Sequence, residues 1–283
     1  MSARFSVVDA LGMAIAVNEW GPPDGEPVVF LHGFLDHGRS FFKLGQLLSG
    51  GFRVIAPDFR GHGKSGWAPA GSYYHFYDYF MDTKLVLDTL VGERPVHLCG
   101  HSMGGSVATG FAAAFPRRIR KLVLIEGLGI PGATFDDAPG RVTTWIDSVI
   151  HVRSKVIRPM PDLNYAAERL LAQNGRMTRE FALTIAKYGT RTVEQGLVWS
   201  FDPMQRTRSP KPYYLDEYKA FWKKLPTGTL HVLGGDSPFK LPDFAERIAC
   251  FDSPHVEVLP KTGHNPHHDA AEALAALLFN FLS

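Results

Sequence analysis

Short apolar runs bounded by glycine, proline or aspartate recur along the chain and alternate with longer segments of helical spacing. Each run has the length and the β-branched content of a strand that is buried on both faces. The six runs are residues 28–31, 53–56, 96–99, 122–125, 229–233 and 256–259. Strands that alternate with helices predict an α/β protein with a mostly parallel, doubly wound sheet.

The first twenty residues follow a different pattern, in which apolar and polar positions alternate over residues 5–8 and 13–20. Such alternation is typical of strands with one solvated face, and Ala10-Leu11-Gly12 supplies a turn between them. The segment therefore predicts an antiparallel hairpin at the sheet edge, which brings the sheet to eight strands. Helical spacing predicts helices over residues 80–90, 106–115 and 269–282.

The alternation of strands and helices breaks between residues 130 and 227, where proline and aromatic residues are frequent. Two periodic segments in this stretch, residues 165–173 and 178–187, predict helices. We therefore expect residues 1–129 and 228–283 to form the core. Residues 130–227 are expected to form a helical cap subdomain, inserted after the sixth strand.

The composition fits one large globular domain with an inserted subdomain. Of the 283 residues, 45% are apolar, and 30 basic against 28 acidic side chains give a net charge of +2. This balance predicts neither nucleic acid nor a membrane as partner, and no stretch has the pattern of a membrane span or a signal peptide. Two cysteines are too few for a disulfide framework. We therefore expect a reduced, cytoplasmic protein, with a matured secreted form as the alternative. The motifs described below predict a small-molecule substrate and no cofactor.

Gly100-His101-Ser102-Met103-Gly104 lies between a predicted strand and a predicted helix. This context is that of a nucleophile elbow, in which glycines two positions before and after the serine avoid clashes. The N-terminus of the following helix directs amide dipoles toward the serine oxygen. The pattern predicts Ser102 as a nucleophile, and the alternative is an ordinary glycine-rich turn.

A serine nucleophile needs a base, and the chain holds 12 histidines. After an elbow of this type the base follows the last strand, in the chain order serine, acid, histidine. His264 meets this condition, whereas His267 and His268 are expected on the first turn of the terminal helix. The alternative, a metal site made of these three histidines, lacks a supporting carboxylate or thiol pattern, so no metal is expected.

An oxyanion needs two backbone donors beside the nucleophile. One is the amide that follows the serine, on Met103. The loop after the strand at 28–31 continues with His32-Gly33-Phe34, and the amide of Phe34 is the expected second donor. We expect His32 to make hydrogen bonds within this loop and to take no part in catalysis.

Residues 58–65, DFRGHGKS, resemble a phosphate-binding loop but depart from its spacing. That pattern needs a glycine five positions before the glycine of Gly63-Lys64-Ser65, and Asp58 stands there. We expect a tight turn instead, in which Gly61 and Gly63 adopt unusual dihedral angles and Asp58 makes local hydrogen bonds.

Four motifs occur in the order found in the α/β-hydrolase superfamily, and this resemblance covers nearly the whole chain. They are His32-Gly33-Phe34, Asp58-x-x-Gly61-x-Gly63-x-Ser65, Gly100-His101-Ser102-Met103-Gly104-Gly105 and Gly263-His264. The resemblance implies the α/β-hydrolase fold. Residues 124–129, LIEGLG, and 199–203, WSFDP, are similar to the serine hydrolase-like branch with a helical cap.

The acid of the triad departs from the commonest family pattern. Many relatives carry an aspartate three residues beyond a glycine after the seventh strand, and here that place holds Ser237, with Asp236 one position early. Some relatives place the acid directly after the sixth strand, where Glu126 stands. We favour Glu126, whose alternative role is an ion pair that anchors the cap. Asp236 remains the alternative acid, or else a turn or helix N-cap residue.

The leading functional hypothesis is hydrolysis of an ester or thioester through an acyl-serine intermediate, with an aromatic-rich cap that favours a largely apolar substrate. Carbon–carbon bond hydrolases and acyltransferases use the same triad. A ligand-binding receptor that retains the triad is a third alternative.

Overall fold

The computed structural model describes residues 3–225 and 228–283, and within them the strands alternate with helices as the hydrophobic pattern predicts. The strands are β1 Arg4–Ala10, β2 Met13–Trp20, β3 Glu26–Leu31, β4 Phe52–Pro57, β5 Val96–His101, β6 Ile119–Ile125, β7 Thr190–Val193, β8 Gly196–Trp199, β9 Leu230–Gly234 and β10 His255–Leu259. The α-helices are α1 Phe42–Leu48, α2 Phe76–Val91, α3 Met103–Ala114, α4 Ala138–Ser154, α5 Leu163–Gln173, α6 Arg179–Gly189, α7 Leu215–Trp222, α8 Phe244–Ile248, α9 Pro266–Asp269 and α10 Ala271–Leu282.

Eight strands form one sheet in the order β1-β2-β4-β3-β5-β6-β9-β10. Strand β2 pairs antiparallel with both β1 and β4, and the other neighbours are parallel. The α/β-hydrolase fold class is thus confirmed, as is the predicted edge hairpin. Its turn lies at Leu11 and Gly12, both with positive φ.

Alternate residues of the central strands point to opposite faces of the sheet, and each face is covered by helices. In β3, Val29 and Leu31 pack into a core that also contains residues of α2 and α3. Val28 and Phe30 of the same strand pack into a second core with residues of α1 and α10. Burial on both faces explains why these strands are continuous apolar runs.

The expectation that every apolar run is buried on both faces is wrong for β10. Val256 and Val258 are 39% and 55% exposed. Strand β10 is the last strand of the sheet and pairs only with β9. A strand at the edge of a sheet is exposed to solvent, and the apolar sequence pattern does not show which strand is at the edge.

The helix boundaries near the C-terminus also differ from the expectation. His267 and His268 lie on the separate short helix α9, and the terminal helix α10 begins only at Ala271. The elbow helix α3 begins directly after the serine, at Met103, three residues earlier than predicted. No helix of the described residues is long and apolar enough to cross a membrane.

The segment between β6 and β9 contains α4 to α7, in agreement with its predicted helical character. It also contains the hairpin β7–β8, which the hydrophobic pattern does not reveal because strands of four residues are too short to show a clear alternation. We call residues 130–225 the insertion. The last two positions of the expected cap, 226 and 227, and the first two of the expected core lie outside the described residues.

Part of the insertion forms a small core of its own, built by buried residues of α5 and α6. Side chains of the insertion also form hydrogen bonds with residues that precede it. Tyr188 donates to Asp58 over 2.9 Å, and Asp202 accepts from Tyr74 over 2.7 Å. Helix α7 buries Tyr218 and Trp222 in the core beside α3. The insertion therefore packs on the edge of the sheet at which the strands end, beside the predicted site.

Candidate active site

Ser102 lies in the sharp turn between β5 and α3, with φ 50° and ψ −116°. A non-glycine residue in this region of backbone conformation is strained, which is typical of a nucleophile elbow. The neighbouring glycines allow the turn to close. A Cβ atom on Gly100 would lie 2.4 Å from the Gly104 oxygen, and one on Gly104 would lie 2.1 Å from the Leu31 oxygen. These distances leave no room for a side chain at either position.

His264 connects Ser102 to Glu126 through both of its ring nitrogens. Its Nε2 lies 2.9 Å from Ser102 Oγ, and its Nδ1 lies 3.0 Å from Glu126 Oε2. Because a carboxylate only accepts, Nδ1 carries the proton and Nε2 presents its lone pair to the serine hydroxyl. This tautomer is the one in which an imidazole removes a proton from serine.

Glu126 follows β6 directly and also has a positive φ of 50°. Its side chain is only 4% exposed. Besides His264, it accepts hydrogen bonds from the Gly234 amide over 2.7 Å and from Ser237 Oγ over 2.5 Å. Burial opposes ionisation, but the hydrogen bonds from His264, Ser237 and Gly234 outweigh it and lower the pKa of Glu126. The group is therefore a carboxylate at neutral pH.

Asp236, the alternative acid, lies elsewhere. Its carboxylate forms an ion pair with Arg176 at 3.1 Å, and its side chain is half exposed. Its backbone amide donates to the Thr262 oxygen over 2.9 Å. Since both ring nitrogens of His264 are bound to Ser102 and Glu126, the structure brings Glu126 to the imidazole and does not bring Asp236.

Ser237 was not singled out as a functional residue, although it stands at the place where many relatives have the acid. In the structure its hydroxyl donates to the same oxygen of Glu126 that faces His264. Its sequence position, three residues beyond Gly234, could have identified Ser237 as functional, because a side chain at this position lies near the imidazole. Here the hydroxyl at this position donates a hydrogen bond to the carboxylate of Glu126, which follows β6.

The Met103 amide and the loop that carries Phe34 lie beside the serine. Met103 is the first residue of α3, so its N–H has no acceptor within the helix. His32 binds the Gly33 oxygen over 2.7 Å, and peptide planarity turns the Phe34 N–H to the opposite side of that peptide group. A Cβ on Gly33 would lie 3.4 Å from Ser102 Cβ, so this loop passes beside the serine.

His32 makes hydrogen bonds within the loops, as expected. Its Nε2 accepts from the Phe59 amide over 2.9 Å and its Nδ1 donates to Gly33. Burial and the nearby His62 lower the pKa of His32 to about 3, so the ring is neutral. This single tautomer fixes the loop that carries Phe34.

Asp58 binds neighbouring segments and forms no phosphate loop. Its carboxylate accepts from the amides of Gly38 and Lys64, each over 2.7 Å, and from the Tyr188 hydroxyl. Gly61 and Gly63 have positive φ, as the turn interpretation predicts. The Asp58 carboxylate thus connects the loop after β3, the loop after β4 and the insertion.

A cavity of about 1200 Å³ lies between the sheet edge and the insertion, with Ser102 and His264 in its wall. Its lining is mostly apolar and aromatic, and it includes Phe34, Phe80, Leu170, Trp199, Tyr213 and Phe221. Phe239 also lines it, with its ring 4.1 Å from the ring of His264. The cavity is large enough for a drug-sized or acyl-chain ligand.

The alternative metal site of His264, His267 and His268 does not form, because both ring nitrogens of His264 are bound to Ser102 and Glu126. A different group comes together nearby. Asp36, His101 and His267 each offer a ligand atom, and the three atoms lie within 4.8 Å of one another.

Comparisons with known proteins agree with this fold. A model of the alpha/beta hydrolase family matches residues 28–277. A serine hydrolase-like protein of Danio rerio is 29% identical over 272 residues, which cover 93% of this chain and 83% of that protein. A thioesterase domain from the curacin biosynthetic pathway is 28% identical, with a TM-score of 0.88 over 99% of this chain and all of that domain. A hypothetical protein of Pseudomonas aeruginosa is 30% identical, with a TM-score of 0.90 over 98% and 99%.

Proposed function

This chain belongs to the alpha/beta hydrolase family, and from that premise we propose that this hydrolase cleaves an ester or thioester bond of a small, largely apolar substrate through an acyl-serine intermediate. The observation that carries the proposal is the hydrogen-bonded series Ser102–His264–Glu126. It supplies the three roles that serine catalysis requires, namely a nucleophile, a base and a group that orients the base.

In the first half-reaction Ser102 Oγ attacks the carbonyl carbon of the substrate while its proton passes to His264 Nε2. Glu126 holds the Nδ1 proton and stabilises the imidazolium that forms. The negative charge on the former carbonyl oxygen falls beside the amides of Met103 and Phe34. When the tetrahedral intermediate collapses, His264 returns its proton to the leaving alcohol or thiol, and the acyl group stays on Ser102.

In the second half-reaction water takes the place of the leaving group. His264 Nε2 removes a proton from the water, which attacks the acyl carbon and forms a second tetrahedral intermediate. Collapse returns the proton from His264 to Ser102 Oγ and releases the carboxylic acid. The enzyme ends as it began, and the net reaction consumes one water per bond cleaved.

The lining of the cavity supports the choice of an apolar acyl or alcohol group. Aromatic and aliphatic side chains of the insertion, such as Leu170 and Phe221, face the wall that contains Ser102. Burying apolar substrate surface against them stabilises the complex by about 25 cal/mol per Å² removed from water. An acyl chain of several carbons fits such a space, and a highly charged substrate would leave its charge unpaired there.

An active-site probe tests the nucleophile. A fluorophosphonate should label the wild-type protein on Ser102, and intact-mass and peptide analysis should locate the adduct. The Ser102→Ala variant should take up no label while retaining its fold by circular dichroism. Pre-incubation with a p-nitrophenyl ester of a medium-length acid should slow labelling, because substrate and probe compete for the same serine.

Turnover distinguishes hydrolysis from the other reactions of the same triad. We expect release of p-nitrophenol and of the free acid in equal amounts, with a burst when deacylation is slower than acylation. A wild-type protein that binds a small apolar ligand tightly, but neither labels nor turns over esters or thioesters, would contradict the proposal and indicate a receptor.

A further inference from the structure

A second group of chemically reactive side chains lies behind the nucleophile. Asp36, His101 and His267 place one carboxylate oxygen and two imidazole nitrogens within 4.8 Å of one another. His101 and His267 are 3% and 0% exposed, and the ring of His267 lies 4.5 Å from that of His101. Neither Asp36 nor His267 has a role in the hydrolysis proposed above.

Three of the four imidazole nitrogens of this group lack hydrogen-bond partners among the described residues. His101 Nδ1 and both ring nitrogens of His267 are buried without one. His267 Nε2 lies 3.6 Å from Asp36 Oδ2, which is within the range of an ion pair but too long for a hydrogen bond. Buried polar atoms without partners are costly, and an ion is one of their ordinary explanations.

The tautomer of His101 leaves the lone pair of Nδ1 free. Its Nε2 is 2.7 Å from the backbone oxygen of His264, and since a carbonyl only accepts, Nε2 carries the proton. His101 Nδ1 is buried and has no hydrogen-bond partner among the described residues, so its lone pair is free to bind a metal. Histidine metal ligands typically bind a backbone oxygen through their second nitrogen in this way.

Asp36 supplies the negative charge that a dication needs. Its Oδ2 accepts a hydrogen bond from Ser40 over 2.7 Å, which orients the carboxylate. Two imidazoles and one carboxylate form a donor set that suits zinc and its neighbours in the first transition series.

We propose that Asp36, His101 and His267 bind a divalent transition-metal ion, of which Zn²⁺ is the best match, and that this ion inhibits the enzyme. Asp36 and His101 also line the cavity, which provides an entry path and space for a water molecule as fourth ligand. The inhibitory part rests on the proposed serine hydrolysis, whereas the binding part does not.

Inhibition follows from the geometry of coordination. Tetrahedral zinc with bonds of about 2.0–2.1 Å places its ligand atoms only about 3.3 Å apart. Ligand atoms that lie up to 4.8 Å apart must therefore move closer when they bind one ion. A movement of His101 also displaces the backbone of His264, because the two residues are joined by a hydrogen bond. A displacement of about 1 Å in a catalytic group costs on the order of 10²-fold in rate.

Binding is tested directly with Co²⁺, whose visible absorption reports tetrahedral nitrogen and oxygen ligands, and with Zn²⁺ by titration calorimetry. We expect one ion per wild-type chain. Asp36→Asn and His267→Gln should each weaken Zn²⁺ binding at least tenfold and abolish the tetrahedral Co²⁺ spectrum. Asp36→Asn keeps the shape of the side chain, so it stays informative where His267→Gln fails to fold.

Two matched variants locate the ion. His231 is also buried with both ring nitrogens unpartnered, but it lies against Phe251 in another part of the core. His231→Gln and Ser102→Ala should bind Co²⁺ as the wild type does. Absence of a tetrahedral Co²⁺ spectrum in the wild type, or its survival in Asp36→Asn, would overturn the site.

The inhibitory part has its own measurement. Zn²⁺ should lower kcat of the wild type at least tenfold with little change in KM, and a chelator should restore it. Asp36→Asn should keep its activity at the same Zn²⁺ concentration. Equal inhibition of both proteins would show that Zn²⁺ acts elsewhere, and a wild type that binds Zn²⁺ without loss of kcat would overturn the inhibitory role and leave the site.

Discussion

Ser237 donates its hydroxyl hydrogen to Glu126 Oε2 over 2.5 Å, and this is the carboxylate oxygen that faces His264 Nδ1. The two residues follow β6 and β9, which are neighbours in the sheet. The acid of this site therefore comes from one strand end, while the next strand end contributes a hydroxyl and the amide of Gly234 that orient it. This division of roles between two loops leads to specific expectations.

Glu126→Gln should lower the acylation rate by about 10²–10⁴-fold, because a neutral amide neither fixes the imidazole tautomer nor stabilises the imidazolium. Asp236→Asn should leave the rate nearly unchanged, because it removes only an exposed ion pair with Arg176. Single-turnover acylation with a p-nitrophenyl ester measures both. Thermal unfolding of the two variants is the control, and exposed ion pairs contribute at most about 1 kcal/mol. A large loss confined to Asp236→Asn would assign the acid to Asp236.

Moving the carboxylate should restore part of the lost activity. In the double variant Glu126→Gln, Ser237→Asp, the new carboxylate stands where Ser237 Oγ now contacts the acid, within reach of His264. We expect this protein to acylate faster than Glu126→Gln alone. Ser237→Asp by itself should be impaired, because two adjacent carboxylates raise the pKa of one of them. No recovery in the double variant would mean that the position supports the acid but does not replace it.

The backbone of Ser102 should store strain that glycine relieves. Ser102→Gly and Ser102→Ala both remove the hydroxyl, so the difference between them isolates the cost of φ 50° and ψ −116° for a residue with a Cβ. We expect the glycine variant to be more stable than the alanine variant by about 1 kcal/mol or more in urea unfolding. In an unstrained position the order would be reversed, since glycine gains more entropy on unfolding.

Glu126 should make part of the stability depend on pH. Its folded-state pKa lies below the ordinary 4.5, so the ionised carboxylate stabilises the folded protein above that value. This contribution should decline as the pH falls below 4.5 and be lost as the pH passes the folded-state pKa. Urea unfolding of the wild type and Glu126→Gln over this range measures it, because other titrating groups cancel in the difference. A constant difference at all pH values would contradict the lowered pKa.

Chain-length preference should depend on the wall of the cavity formed by the insertion. Ala133 lines the cavity, and its amide donates to the Tyr213 oxygen over 2.9 Å, which holds it in place. Ala133→Trp should lower kcat/KM for long-chain esters at least tenfold more than for acetate esters, because the indole occupies space that a long chain needs. Ala138→Trp, at an exposed position on α4, is the matched control and should change neither.

The fold and part of the site follow from local sequence. Continuous apolar runs predicted the parallel strands, because burial on both faces of a sheet excludes polar residues. The spacing around Ser102 predicted the elbow, because only glycine fits the close contacts at positions 100 and 104. Chain order alone selected His264 from 12 histidines. The exposure of β10 and the hairpin β7–β8 escaped the pattern, because edge position and short pairings depend on which segments become neighbours in space.

The partner of His264 depended on tertiary structure. Glu126 and His264 are 138 positions apart, and Ser237 is 111 positions from Glu126. The spacing of residues in the sequence does not give the distances in space between the ends of β6 and β9 and the loop after β10. Two carboxylates therefore satisfied the chain order equally well. Packing of those strands side by side brought Glu126 to the imidazole and left Asp236 in solvent with Arg176. Local chemistry thus selects which side chains are able to react, and the folded sheet decides which of them meet.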